Sequence, residues 1–231
     1  MMSTMERFCL LFLWFPLMLP SATSQCPPSA NIEPCSCYSN SVSGQVLYCY
    51  GIDTEEELRS ILHNPSFPVT SFGEIKIING LTDIEYGALT ALDSLVDLQL
   101  HSNALGPALP PGAVAVPATL VSMTLDSNGI SEIMPEAITG FSTSAYLSLR
   151  SNNLKSFPEE TFRPLLERLA EGGGRLDLYG NFGLPCDCSI VWLFLTPGVL
   201  DAVDQYYCEN FMPITDIDSE ALIQSCSRER R

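Results

Sequence analysis

The residues with the most chemical potential in this 231-residue chain are its cysteines. Eight of the nine stand in two groups of four: Cys26, Cys35, Cys37 and Cys49 toward one end, and Cys186, Cys188, Cys208 and Cys226 toward the other. Thiols grouped this way can hold a metal, exchange electrons or form disulfides. A structural zinc site ordinarily uses cysteines two to four residues apart, whereas both groups contain C-x-C. A redox pair ordinarily reads C-x-x-C, which is absent. Disulfides are the remaining reading, and an even set leaves no thiol over.

The other candidates for chemistry are few. His63 lies in LHNP at the end of a predicted helix, where a surface capping role is expected. His101 is expected to project from a strand face, with Asp126 one repeat further along, so a Ser-His-Asp arrangement can be drawn through it. No G-x-S-x-G nucleophile motif accompanies it. The glycines 172–174 lack the G-K-[ST] ending of a phosphate loop. The acidic run Asp216–Glu220 lacks the Gly and terminal Glu of an EF-hand. No catalytic residue, metal or cofactor is assigned.

The chemistry of the thiols depends on compartment. Arg7, the apolar run Phe8–Leu19 and the small residues Ala22 and Ser24 predict a secretory signal over residues 1–24. Its apolar core is too short to span a bilayer comfortably. Cleavage there removes Cys9 and carries the other eight cysteines into an oxidising, extracellular setting. The run Ile190–Leu200 is broken by Pro197 and Gly198, and the charged carboxy-terminal residues are unlike a GPI signal, so no membrane anchor is expected. Net charge is −16, and the densest basic run is SRERR, Ser227–Arg231. A nucleic-acid partner needs clustered basic groups against its phosphates, and anionic lipid needs them too. Both are excluded as expectations. There is no N-x-[ST] sequon to mask a face with N-linked sugar.

The elements that must position any site lie between the cysteine groups, and they repeat. Leu120–Ile133 reads L-x-x-M-x-L-x-x-N-x-I-x-x-I, and Leu95–Leu109 reads L-x-x-L-x-L-x-x-N-x-L. Asn128 stands 25 residues after Asn103, and Asn152 stands 24 after Asn128. Leu147, Leu149, Asn152 and Leu154 continue the pattern, as do Leu176, Leu178 and Asn181. A weaker copy has Ile75, Ile77, Asn79 and Leu81. This is the leucine-rich-repeat pattern. Each L-x-L pair points inward from a short strand. Each Asn can bond backbone groups left unpaired where the chain turns. One such unit cannot bury its own apolar edge, so the units must stack. The fold class expected is α/β: a leucine-rich-repeat solenoid with a parallel concave sheet.

Two helices are predicted beside the strands. Ser156–Gly172 opens with Ser156 and Glu159 at capping-box spacing, with Pro158 just inside, and Phe162, Leu165, Leu166 and Leu169 form one apolar face. Gly172–Gly174 would stop it. Thr54–Leu62 carries the same signal through Thr54 and Glu57. Asp218 is the expected N-cap of a helix at SEALIQSC.

Outward strand residues align in columns. One reads Glu74, Asp97, Ser122, Tyr146, Arg175; the next Lys76, Gln99, Thr124, Ser148, Asp177; the third Ile78, His101, Asp126, Arg150, Tyr179. Tyr and Arg are frequent binding hot spots. The expected partner-binding face is therefore Gln99, His101, Thr124, Asp126, Tyr146, Ser148, Arg150, Arg175, Asp177 and Tyr179.

The cysteine-rich stretches Cys26–Cys49 and Cys186–Cys226 resemble the flanking caps of extracellular leucine-rich-repeat proteins. Together with GIDTEEELRSILHN, FPVTSFGEIKIING and GNFGLPCDCSIVWLF, they are similar to an arthropod family of secreted leucine-rich-repeat proteins, that of the non-catalytic subunit of oplophorus-luciferin 2-monooxygenase. The cap resemblance implies bonds Cys26–Cys37, Cys35–Cys49, Cys186–Cys208 and Cys188–Cys226, whereas sequence alone allows three pairings in each group. The family resemblance implies a secreted, non-enzymatic chain that stabilises or carries a catalytic partner. The expected organisation is a signal over 1–24, an amino-terminal cap and helix over 25–71, about five repeats over 72–184, and a carboxy-terminal cap over 185–231. The expected function is a protein-binding accessory subunit or carrier; the alternative is a soluble receptor-like or innate-recognition module.

Overall fold

The computed structural model describes residues 26–62, 72–84, 89–90 and 92–229. The predicted signal and His63 lie outside them. The chain is mixed α/β, built on one large sheet with four disulfides.

A hairpin opens it: β1 (Ser36–Asn40) and β2 (Gly44–Tyr50) pair antiparallel. Then come α1 (Glu55–Leu62), β3 (Phe72–Ile78) and β4 (Asp97–Gln99). The middle holds β5 (Ala108–Leu109), β6 (Val114–Ala115), β7 (Ser122–Thr124), β8 (Glu132–Ile133), β9 (Ile138–Thr139) and β10 (Tyr146–Ser148). The last elements are α2 (Glu159–Ala170), β11 (Arg175–Asp177), α3 (Val191–Leu195), β12 (Val203–Asp204) and α4 (Ser219–Glu229). The large sheet runs β1-β2-β3-β4-β7-β10-β11-β12, parallel from β2 onward. Two small parallel pairs, β5 with β8 and β6 with β9, lie outside it.

The alternation of each L-x-L pair explains the packing. Ile75, Leu98, Met123, Leu147 and Leu176 share one register row and are all buried. The residues on either side of them point to the opposite face, as a two-residue period requires. Leu100, Leu125, Leu149 and Leu178 continue the buried row past the strand ends.

Four buried asparagines tie successive units together. Asn103 Nδ2 donates to Ile77 O at 2.7 Å and to Leu100 O at 2.9 Å. Asn152 Nδ2 donates to Leu125 O and Leu149 O, and its Oδ1 accepts from the backbone of Asn128 and Ile130. Asn128 and Asn181 each donate to two carbonyls in the same way. Each amide thereby satisfies backbone groups that the turn leaves buried and unpaired. The residue before each asparagine takes a left-handed φ: Ser102, Ser127, Ser151 and Gly180, between 54° and 83°.

Asn79 is not a rung of this ladder. It is exposed and holds the left-handed position itself, with φ 59°. Gly80 occupies the rung because a Cβ there would stand 2.4 Å from Ile52 O. The capping box expected at Ser156 and Glu159 does not form either. Pro158 is the N-cap of α2 with ψ 137°, outside the helix rather than just inside it, and no side chain caps this end. In α1 the Glu57 amide does meet Thr54 Oγ1, at 3.3 Å, while the Glu57 carboxylate reaches back to Asp53 N. Ala221 N bonds Asp218 Oδ1 at the start of α4.

Each end of the sheet is closed by two disulfides. Cys26–Cys37 and Cys35–Cys49 hold the hairpin; Cys186–Cys208 and Cys188–Cys226 hold α3, α4 and the chain between them. Under the second pair lies an aromatic core. Phe157 stacks on Phe162 at 3.8 Å and on Trp192 at 5.9 Å, and meets Tyr206 edge-on at 5.3 Å. Tyr206 donates its hydroxyl to Pro185 O. No helix among the described residues is long and apolar enough to cross a membrane.

Candidate partner-binding face

The outward columns are set by strand register. Glu74 faces Asp97, which faces Ser122, then Tyr146 and Arg175. Lys76, Gln99, Thr124, Ser148 and Asp177 form the adjacent column. The third column lies just past the strand ends and keeps its order through backbone bonds. Ser102 N donates to Asp126 O, Ser127 N to Arg150 O and Ser151 N to Tyr179 O.

Six of the ten candidate residues join one network at the β10–β11 end. Tyr146 donates its hydroxyl to Asp177 Oδ2 at 2.6 Å, and the Tyr179 amide donates to Asp177 Oδ1 at 2.9 Å. Arg150 Nε lies 3.3 Å from Asp177 Oδ2, and its guanidinium sits 5.2 Å from the centroid of the Tyr179 ring. Asp126 Oδ1 accepts from Ser148 Oγ and from Arg150 N. Asp177 and Ser148 are buried beneath Tyr146, Arg150 and Tyr179, which are exposed. Burial pushes the Tyr146 phenol up to about 12, helped by the bond to Asp177 and that carboxylate's charge.

A second network forms at the β3–β4 end. Glu74 accepts from Lys76, Ser43, Asn40 and Gln99. Gln99 also donates to Asp97 Oδ2. Burial opposes ionisation of Glu74, but the hydrogen bonds from Lys76, Ser43 and Asn40 and the Lys76 charge outweigh it. Its carboxyl is held below its ordinary value. Lys76 is pushed up, first by the same Glu74 bond.

The remaining candidates stand apart from both networks. Arg175 reaches Asp204 and the Asp201 carbonyl. His101 Nδ1 lies 3.4 Å from Ser102 Oγ. Asp126 is taken by Ser148 and Arg150, so among the described residues no hydrogen bond links His101 to Asp126. Thr124 makes no side-chain hydrogen bond among the described residues. The face is a polar surface with rings and a guanidinium on top, and Ser148 Oγ donates to the Asp126 carboxylate rather than to a histidine.

No protein-family model matches the chain. Over 152 residues it is 28% identical to the oplophorus-luciferin 2-monooxygenase non-catalytic subunit of Oplophorus gracilirostris. The chain is a distant relative of that protein. The match covers 61% of this chain and 40% of the relative, so the chain spans about two fifths of that protein's length. The relative bears the name of a non-catalytic subunit.

Three aromatic residues beside this face were not anticipated. Phe182 lies 6.2 Å from Tyr179, Tyr207 lies 6.2 Å from Tyr179, and Phe211 lies 5.1 Å from Phe182. Phe182 directly follows a ladder asparagine, which is a sequence signal for it. Tyr207 and Phe211 come from the carboxy-terminal region, which the Cys186–Cys208 bond holds beside Gly183 and Leu184. Only that bond gives a reason to place them here.

Proposed function

We propose that this chain is a secreted, non-enzymatic leucine-rich-repeat solenoid that binds another protein through its strand face, as an accessory or carrier subunit. In this reading residues 1–24 are the export signal, 25–71 and 185–231 are the caps, and 72–184 are about five repeats. The observation that carries it is the network of Asp126, Tyr146, Ser148, Arg150, Asp177 and Tyr179. It presents Tyr and Arg on a preorganised, satisfied base. Preorganisation lowers the entropy lost on association, and Tyr and Arg anchors supply most of the affinity at typical interfaces. The name of the distant relative, a non-catalytic subunit, supports an accessory role.

The experiment is co-purification of the mature protein from its source tissue, followed by mass spectrometry of cross-linked peptides. A stoichiometric protein of the same organism, cross-linked near Lys76 on the strand face, is the expected result. A chain recovered without a partner of its own organism overturns the accessory role and favours recognition of a foreign ligand. Turnover of a substrate by the purified chain overturns the non-enzymatic reading.

A further inference from the structure

The loops that follow the ladder asparagines stack along one side of the sheet and leave a groove of about 520 Å³ between them. That is within the range of ligand-binding clefts. Its shape depends on glycines. Gly180, with φ +83°, lies so close to the next loop that a Cβ would stand 3.0 Å from the Ser151 backbone. Gly129, with φ +71°, faces open space, and a Cβ there would meet nothing within 4 Å.

The chemistry of the groove differs from that of the chain as a whole. The protein carries 27 acidic and 11 basic residues, yet among the described residues Lys155 is the only charged one lining the groove. Among the described residues no carboxylate pairs with Lys155. Lys155 Cγ would stand 3.6 Å from a Cβ at Gly183, so its stem lies against the residue next to Phe182. Phe182 is 42% exposed and Phe211 is 66% exposed, and together with Tyr179 and Tyr207 they form one continuous patch of rings. Contiguous exposed rings on a soluble chain mark contact surfaces. Asn153, also exposed, makes no side-chain hydrogen bond among the described residues and offers both donor and acceptor.

We propose that this groove takes an extended peptide segment of a protein partner, with an apolar side chain on Phe182 and Phe211 and a carboxylate on Lys155. The Asn153 amide matches a peptide group, donor to carbonyl and acceptor to N–H. Lys155 supplies the charge complementarity that fixes direction along the groove. A neutral saccharide would use the rings and Asn153 but leave the lysine unanswered. The proposal rests on the protein-binding function above but uses the groove at the side of the sheet, which adjoins the strand face at Tyr179.

The test is selection from a phage-displayed random heptapeptide library on the folded, disulfide-intact protein. The expected outcome is enrichment of sequences with Asp or Glu close to Phe, Tyr, Leu or Trp. One enriched peptide, labelled with fluorescein, is then titrated by polarisation. Phe182→Ala should weaken it about 10-fold or more, and Lys155→Glu should weaken it similarly and shift selection toward basic peptides. Trp192 fluorescence checks that both variants are folded. Failure to enrich any peptide, enrichment without an acidic residue, or binding by either variant as tight as the parent's overturns the proposal. Displacement of the peptide by maltohexaose overturns it in favour of a sugar. A dimer that Phe182→Ala dissociates overturns it in favour of a second copy of the chain. Library selection needs no natural partner, so its failure is distinct from a failed co-purification.

Discussion

The Tyr146 hydroxyl and Asp177 Oδ2 are joined at 2.6 Å across neighbouring strands, an exposed ring donating to a buried carboxylate in a part-buried hydrogen bond. The phenol is pushed up to about 12 from 10.0. A proton held more tightly in the folded state stabilises it fully below the unfolded value, and this stability is lost as pH rises through the folded value. The contribution of Tyr146 to stability should therefore be level up to about pH 10 and fall between about pH 10 and 12. Tyr146→Phe should shrink that fall, read by urea unfolding across the alkaline range. Spectroscopic titration at 295 nm should show one fewer late-ionising tyrosine.

Glu74 contributes to the acid limb: burial opposes its ionisation, but its bonds to Lys76, Ser43 and Asn40 outweigh this and hold the carboxyl below its ordinary 4.5. A lowered value means stability that is present above about 4.5 and lost as pH falls through the folded value. Glu74→Gln should be less stable than the parent at pH 7, and the difference should shrink as pH falls through the folded value of Glu74. A difference that stays constant over that fall would show that the charge is not the cause.

The asparagine ladder makes a graded prediction. The Asn152 amide donates to Leu125 O, Leu149 O and Arg150 O, and its carbonyl oxygen accepts twice. Asn128 donates to Leu100 O, Leu125 O and Asp126 O, but among the described residues its Oδ1 is buried without a partner. Unsatisfied buried backbone groups cost about 1–3 kcal/mol each. Asn152→Ala should therefore destabilise more than Asn128→Ala, by about 1–3 kcal/mol in urea unfolding at neutral pH. Equal costs would mean that the accepted bonds contribute nothing.

The bond between Cys188 and Cys226 spans 38 residues and fastens α4 to the region around Trp192. Closing a loop of that length is worth about 2–4 kcal/mol through the unfolded chain. The double variant Cys188→Ser, Cys226→Ser should lose about that much stability. It should also red-shift Trp192 emission in denaturant before the sheet's circular dichroism changes.

Much of the sheet could be read from sequence because each strand is announced by a Leu-x-Leu pair whose inward and outward residues alternate. β4, β7, β10 and β11 follow that signal, and two groups of four cysteines foretold disulfide bonds. The two-residue strands β5, β6, β8 and β9 carry no such signal, since Ala108–Leu109 or Val114–Ala115 is too short to show a period. Gly80 in place of an asparagine rung depends on the nearby Ile52 carbonyl, a contact between residues distant in sequence. The Ser156 capping box failed because Pro158 holds an extended ψ at the helix entrance, which ends the local signal there. Of the face, the columns were legible, but which members bond to one another was not. That Asp126 takes Ser148 rather than His101 depends on side-chain rotamers, not on spacing.

The two ends of the sheet are unlike. One is β1, five residues long and antiparallel to its neighbour; the other is β12, two residues long and parallel to its neighbour. A free edge offers its unpaired N–H and C=O groups to any strand that comes alongside, and a very short one offers few of them. At two residues β12 presents a much smaller template than β1. Pairing of another chain against the sheet is therefore discouraged most at the β12 border, beside the carboxy-terminal disulfides.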